Sequence, residues 1–288
     1  MKLKRLSKIF LLASSLSLMI GCSNTEKVNV EEDKLKVSLI LDEGGVNDQS
    51  FNQSAWEGAL RAKEEYGVEV NYIESKSESE YLSNVETAID CAYENIPSNV
   101  QPILFNEEQA GYCAGLVAAN MTKTNVIGFV GGMEIPSVTN FLIGFEKAIK
   151  EENKDIKVLS QYANSFSDAS KGRVIAEQMI NEKADIIFTA GGGVNSGVFE
   201  VTKEKGLYAI GVDMPSNYIS PETIITSALK NVGTGVELTV KDLVEGNFKG
   251  GEAKVFDLTN GGVGYEKTDL LPKDLVKYID NKLNGIGK

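Results

Sequence analysis

The chain has 288 residues, 42% of them hydrophobic and 24% charged, which suits one large folded domain or two small ones and excludes a disordered chain. Its 41 acidic residues outnumber 29 basic ones for a net charge of −12, a balance that repels nucleic acid and argues against it as a partner. It has no histidine, which excludes Ser-His-Asp and Cys-His nucleophile systems, HExxH sites and any histidine-bound metal.

Lys2, Lys4, Arg5 and Lys8 form a positive start, and residues 9–20 are apolar apart from three serines. That core is too short to span a membrane as a stable helix but suits the central region of a signal peptide. It ends in Met19-Ile20-Gly21-Cys22, which resembles the lipobox of bacterial lipoproteins. The expectation is a signal peptide over 1–21, lipid on Cys22 and a charged tether to residue 34. Loss of 1–21 removes four positive charges and no negative ones, leaving a net of −16. The lipid, not the charge of the body, would then hold the chain on the extracytoplasmic face of the cell membrane. Of the other two cysteines, Cys113 falls in an apolar helical pattern and reads as a small core residue; Cys91 and Cys113 could pair, but their number and spacing do not suggest a disulfide framework.

After residue 34 strand-like and helix-like segments alternate. Strands are predicted over 37–41, 68–73, 102–105, 126–130, 157–161, 185–190, 208–212, 223–227 and 253–258. Helices are predicted over 51–66, 81–89, 107–121, 136–152, 168–182, 194–205, 232–245 and 273–283. Continuous apolar strands alternating with helices imply an α/β fold of parallel sheets covered on both faces. In such sheets ligands bind beyond the carboxyl ends of the strands.

Three of those ends are informative. Residues 44–55 follow the first strand and enter a helix. Asp48 or Ser50 either caps that helix or, with Asn47 and Asn52, lines a cleft, and Phe51 is either core or an aromatic wall. Residues 162–168 repeat the arrangement with Phe166. Two such aromatics either belong to the core or sandwich a flat heterocycle, each face worth roughly 1–3 kcal/mol. The Gly191-Gly192-Gly193 turn lacks both GxGxxG and GxxxxGK[ST], so it signals close backbone approach rather than a nucleotide phosphate. Asp213 and Lys230 each end a strand; the first can grip paired hydroxyls and the second can donate to a ring nitrogen or carbonyl.

Read together, several blocks resemble the basic-membrane-protein family, lipoproteins that bind substrate for ABC importers, best known for purine nucleosides. The blocks are Gly45-Val46-Asn47-Asp48-Gln49-Ser50-Phe51-Asn52-Gln53, Phe129-Val130-Gly131-Gly132-Met133-Glu134, Ser165-Phe166-Ser167-Asp168, Ala209-Ile210-Gly211-Val212-Asp213 and Thr226-Ser227-Ala228-Leu229-Lys230. The resemblance runs over about residues 36–275. It implies the type I periplasmic-binding-protein fold: two Rossmann-like lobes, three crossovers and a cleft between. The first lobe would take residues 35–105 and 230–256, the second 106–229 and 257–288. It further implies polar ligand contacts from Asn47, Asp48 and Asn52 with Phe51 nearby, a base stacked on Phe166 and a backbone contact at Gly192. Asp213 would hold ribose hydroxyls and Lys230 the ring. ABC permease and ATPase subunits are the implied partners, and neither a cofactor nor a metal is implied.

The sequence departs from the family at one place. Val85-Glu86-Thr87-Ala88-Ile89-Asp90-Cys91 runs straight across a passage where the family has a further strand, helix and strand. The deficit is one βαβ unit, roughly 30 residues. Asp90 stands where the lost strand would end in a carboxylate. A lobe shortened in this way exposes apolar edges. It opens a second reading, a non-transporting paralogue or surface lipoprotein that has lost nucleoside binding. An enzyme on this scaffold is disfavoured, since no nucleophile constellation appears.

Overall fold

Apolar runs bounded by turn residues form the strands, and Ala- and Gly-rich segments with caps form the helices between them. A computed structural model describes residues 35–77, 79–80, 84 and 100–286. The expectations for the signal peptide, Cys22, Asp90 and Cys91, and nearly all of the helix predicted over 81–89, lie outside those residues.

In chain order the elements are β1 (Lys36–Leu41), α1 (Phe51–Tyr66), β2 (Glu69–Glu74), β3 (Ile103–Phe105), α2 (Glu107–Met121), β4 (Val126–Gly131) and α3 (Pro136–Glu152). There follow β5 (Lys157–Tyr162), α4 (Ala169–Asn181), β6 (Ile186–Ala190), α5 (Val194–Lys205), β7 (Tyr208–Asp213), a 3₁₀ turn (Asn217–Ile219) and β8 (Ile224–Lys230). The chain closes with α6 (Val232–Val244), β9 (Lys254–Phe256), β10 (Val263–Tyr265) and α7 (Lys273–Leu283).

Six strands in the order β10-β8-β7-β6-β4-β5 make the larger sheet. Its central strands are buried on both faces, with Phe129, Phe188, Ile127, Ile186 and Ile210 wholly inaccessible, as their unbroken apolar sequences require. Phe145 of α3 and Leu116 of α2 pack into the same core, where Cys113 is also buried and its thiol is pushed up to about 12 by burial. The sheet is parallel except for β10, which pairs antiparallel with β8, Val263 opposite Lys230. β10 adds one antiparallel strand to the parallel sheet that the sequence predicts. Three residues with Gly264 at the centre carry too little hydrophobic pattern to be read as a strand.

The other strands form two parallel ribbons, β1 with β2 and β3 with β9. The chain passes from the ribbons to the large sheet after β3, returns after β8 and leaves again after β9. These three crossovers join parallel sheets in the type I periplasmic-binding-protein fold. The ribbon half is lean. Its apolar cluster rests on Ala62, Val68 and Val240, while Ile73, Leu104 and Val255 remain 47%, 50% and 54% exposed. Among the described residues no strand joins β1 to β3.

Candidate functional site

The entry to α1 sets one wall. The Asp48 carboxylate accepts from the backbone N–H of Ser50 at 2.9 Å and of Asn52 and Gln53 at 3.0 Å each. The first amides of a helix have no partner within it, so the Asp48 side chain caps α1 from two residues ahead of the N-cap position at Ser50. Asp48 is both cap and wall, and the two readings its sequence left open are compatible. Burial nevertheless raises its pKa above the ordinary carboxylate value, against the three amides that lower it. The cap fixes Ser50, whose hydroxyl donates to the Asp213 carboxylate on the opposite side. Asn52 is tied down by donation to Asp42 Oδ1 at 2.6 Å.

The ends of β7 and β8 supply the opposite charges. Asp213 has a φ of 65°, in the left-handed region, and is buried. Burial pushes its carboxyl up to about 6; Lys230 and the Ser50 hydroxyl hold it down, while Asp48 and Glu107 push it further up. Lys230 is buried too, its Nζ 2.8 Å from Glu107 Oε1 at the start of α2. The same ammonium sits 5.3 Å from the ring centre of Phe51 and 5.4 Å from that of Phe105, within cation–π range.

Phe166 is placed by glycines. Its ring lies over Gly132, where an added Cβ would come within 2.5 Å of the ring, so no other residue fits beneath it. Its carbonyl accepts from Gly193 N–H at 2.7 Å, and its own N–H donates to Glu43 Oε1 at 3.2 Å. Gly192 has a φ of 59°, and a Cβ there would meet the Phe166 carbonyl at 2.9 Å. The turn is locked from below by buried Asn195, whose Oδ1 accepts from Gly191 N–H and the Thr189 hydroxyl, each at 2.8 Å.

These groups converge. A cavity of about 140 Å³ is lined by Asp48, Ser50, Phe51, Phe166, Gly192, Asp213 and Lys230, with Ile135 and Val138 from the start of α3. Phe51 is 42% exposed, so it is an aromatic wall rather than a core residue. Asn52 lines a second, adjoining cavity. Asn47 is exposed and lines neither, and Asp90 lies outside the described residues. Sequence reasoning missed Glu107 as the partner of Lys230, though it follows the carboxyl end of β3, where strand-end logic directs attention. Among the described residues no group of side chains could hold a metal ion. The arrangement suits a neutral ligand with a flat ring between aromatic faces and hydroxyls donating to a carboxylate.

The profile of the Bmp family, described as ABC transporter substrate-binding protein PnrA-like, matches residues 34–90 and 87–287. The two matches meet where the sequence skips the strand–helix–strand passage. Basic membrane protein A of Borreliella burgdorferi is 35% identical over 316 aligned positions, covering 96% of this chain and 92% of that protein. The ABC transporter nucleoside-binding protein BmpA of Lactococcus lactis subsp. cremoris is 31% identical, covering 94% and 95%. That alignment spans 333 positions, more than the 288 residues present here, so the relative carries residues without a counterpart in this chain. Among solved structures, an ABC transporter solute-binding protein of Aeropyrum pernix superposes with a TM-score of 0.72 and 28% identity, covering 88% of this chain and 80% of that one. The family is one of binding proteins and not an enzyme class. The chain belongs to the basic-membrane-protein family of ABC transporter substrate-binding proteins.

Proposed function

We propose that this protein captures a purine nucleoside in the cleft and delivers it to an ABC permease and its ATPase. The observation that carries the proposal is buried Asp213, aimed into a cavity that also holds Phe166 and Lys230. A carboxylate accepting two hydroxyl hydrogens makes charge-assisted bonds, stronger than neutral ones. The base stacks on Phe166 with Phe51 on its other side, and Lys230 donates to a ring nitrogen or carbonyl. Gly192 presents backbone, and Asp48 completes the polar wall. A micromolar ligand needs only about 8 kcal/mol, within reach of one stack and a few such bonds. The nucleoside-binding relative of L. lactis supports the choice of ligand.

The cleft divides the chain into a first lobe of residues 35–105 and 230–256 and a second of 106–229 and 257–288. Lipid on Cys22 tethers this body to the extracytoplasmic face of the membrane, and the protein has no catalytic role. Mass spectrometry of small molecules released on denaturing the purified protein tests the assignment. Release of a nucleoside supports it; release of a sugar or flavin instead overturns it.

The direct run of residues 85–91 across the passage favours a second reading, a shortened non-transporting paralogue or surface lipoprotein that has lost nucleoside binding. Non-cooperative thermal unfolding with strong binding of a hydrophobic dye would favour it over the first.

A further inference from the structure

The cavity that faces Asp213 and Phe166 is small, about 140 Å³, below the roughly 300–1,000 Å³ usual for ligand pockets. It adjoins a second cavity of about 650 Å³, and the two share Phe51, Ser137 and Lys230 in their walls. The second lies in the gap between the ribbons, lined by Leu39 and Leu41 of β1, Ile103 and Phe105 of β3, Ala55 of α1 and Val236 of α6. Among the described residues its charged wall residues are Lys230 and Glu107, and these neutralise each other at the junction. The remainder is mostly apolar.

The gap also presents backbone. Leu35 and Leu41 give their carbonyls to Glu69 and Ser75 on the β2 side, so Ile40, which alternates with them, turns its peptide groups the other way, into the gap. Likewise Pro102 accepts from Lys254 and Asn106 donates to Phe256, so Ile103 and Phe105 turn theirs away from β9. The apolar side chains of this wall fit a flat aromatic substituent.

We infer that this second cavity is a ligand subsite, which takes an apolar aromatic group carried on the base edge of the ligand held at Asp213 and Phe166. The inference rests on the nucleoside reading and extends it: the substrate class is a base-substituted nucleoside. With the hydroxyls at Asp213 and the base between Phe166 and Phe51, the base edge points toward Lys230, one of the three residues common to both cavities.

The test is calorimetric titration of the full chain with four compounds: adenosine, guanosine and each carrying a benzyl group on its exocyclic amine. At least one benzyl compound binds about tenfold or more tighter than its parent, as burial of that much apolar surface requires. Val236→Phe, which fills the gap, erases that gain and leaves the parent nucleoside within about threefold of its original affinity; Leu39→Phe, on the opposite wall, does the same should the first variant fold poorly. Benzyl compounds that bind no tighter than their parents, or a gain that survives both substitutions, overturn the subsite while leaving nucleoside binding intact. No binding by any of the four overturns both.

Discussion

Ser50 donates its hydroxyl hydrogen to the Asp213 carboxylate, joining the first turn of α1 to the end of β7 across 163 residues of sequence. The contact is made where a ligand hydroxyl would donate. Asp213 is buried, the charge of Lys230 acts on it, and Lys230 is already paired to Glu107. The carboxylate therefore lacks full compensation, and its pKa of about 6 expresses that deficit. A ligand offering two hydroxyl hydrogens would supply what is missing.

Asp213→Asn removes the charge and keeps the shape. Hydrogen bonds to a charged group are worth about 1.5–3 kcal/mol, so nucleoside affinity should fall roughly 10- to 150-fold. Calorimetry checks this, with thermal melting to confirm the fold; an affinity within threefold of the original would remove Asp213 from the site.

The pH dependence follows from the same group. A carboxyl raised to about 6 is mostly protonated at pH 5, and a ligand that needs the ionised form then binds about tenfold more weakly than at pH 7. The stability contribution has its own sign. Because the folded pKa exceeds the unfolded value of 3.8, this group's contribution is fully present below about pH 4 and is lost as pH rises through 6. Affinity and this stability contribution should therefore move in opposite directions between pH 4 and 7. Titrations across that range should show the slope in the native protein and not in Asp213→Asn.

Phe166→Ala removes the stacking face held over Gly132. A loss of roughly 1–3 kcal/mol predicts affinity lower by about 5- to 150-fold, with Phe166→Tyr restoring most of it. Equal affinities for the alanine and tyrosine variants would mean that no ring stacks there.

Glu107→Gln replaces the hydrogen-bonded carboxylate of the buried Lys230 ammonium with a neutral amide, leaving Asp213 as the charge that still acts on it. Breaking a buried pair from one side costs about 3–5 kcal/mol when the partner is removed outright, and the amide should soften that to about 2. Urea denaturation measures it. The double change Glu107→Leu with Lys230→Met should recover most of the stability while abolishing ligand binding, which separates the structural role of the pair from its role in the site.

Most of the large sheet was legible in sequence because β4, β6 and β7 are nearly continuous apolar runs, and burial on both faces demands that pattern. β10 was not, since its place depends on pairing with β8 and not on its own three residues. In the site, Asp48 illustrates the limit of local reading: cap and wall residue look alike in sequence, and only the three amide contacts and the cavity together show that it is both. Phe51 could have been core, and its exposure comes from the turn that Asp48 fixes. Glu107 escaped notice because an acidic residue at the start of a helix is expected from the helix dipole alone. Its distinctive feature, the buried ammonium 2.8 Å away, comes from a residue 123 positions later. The cavity lined by β1 and β3 was not foreseen, because sequence alone cannot say how closely the two strands approach.

Calorimetric titration of the purified protein with adenosine, guanosine and inosine at pH 7 tests the central assignment. The account predicts saturable heat with a dissociation constant in the micromolar range or tighter for at least one of them, and a rise in melting temperature with the same compound. No heat and no thermal shift from any of the three would contradict it.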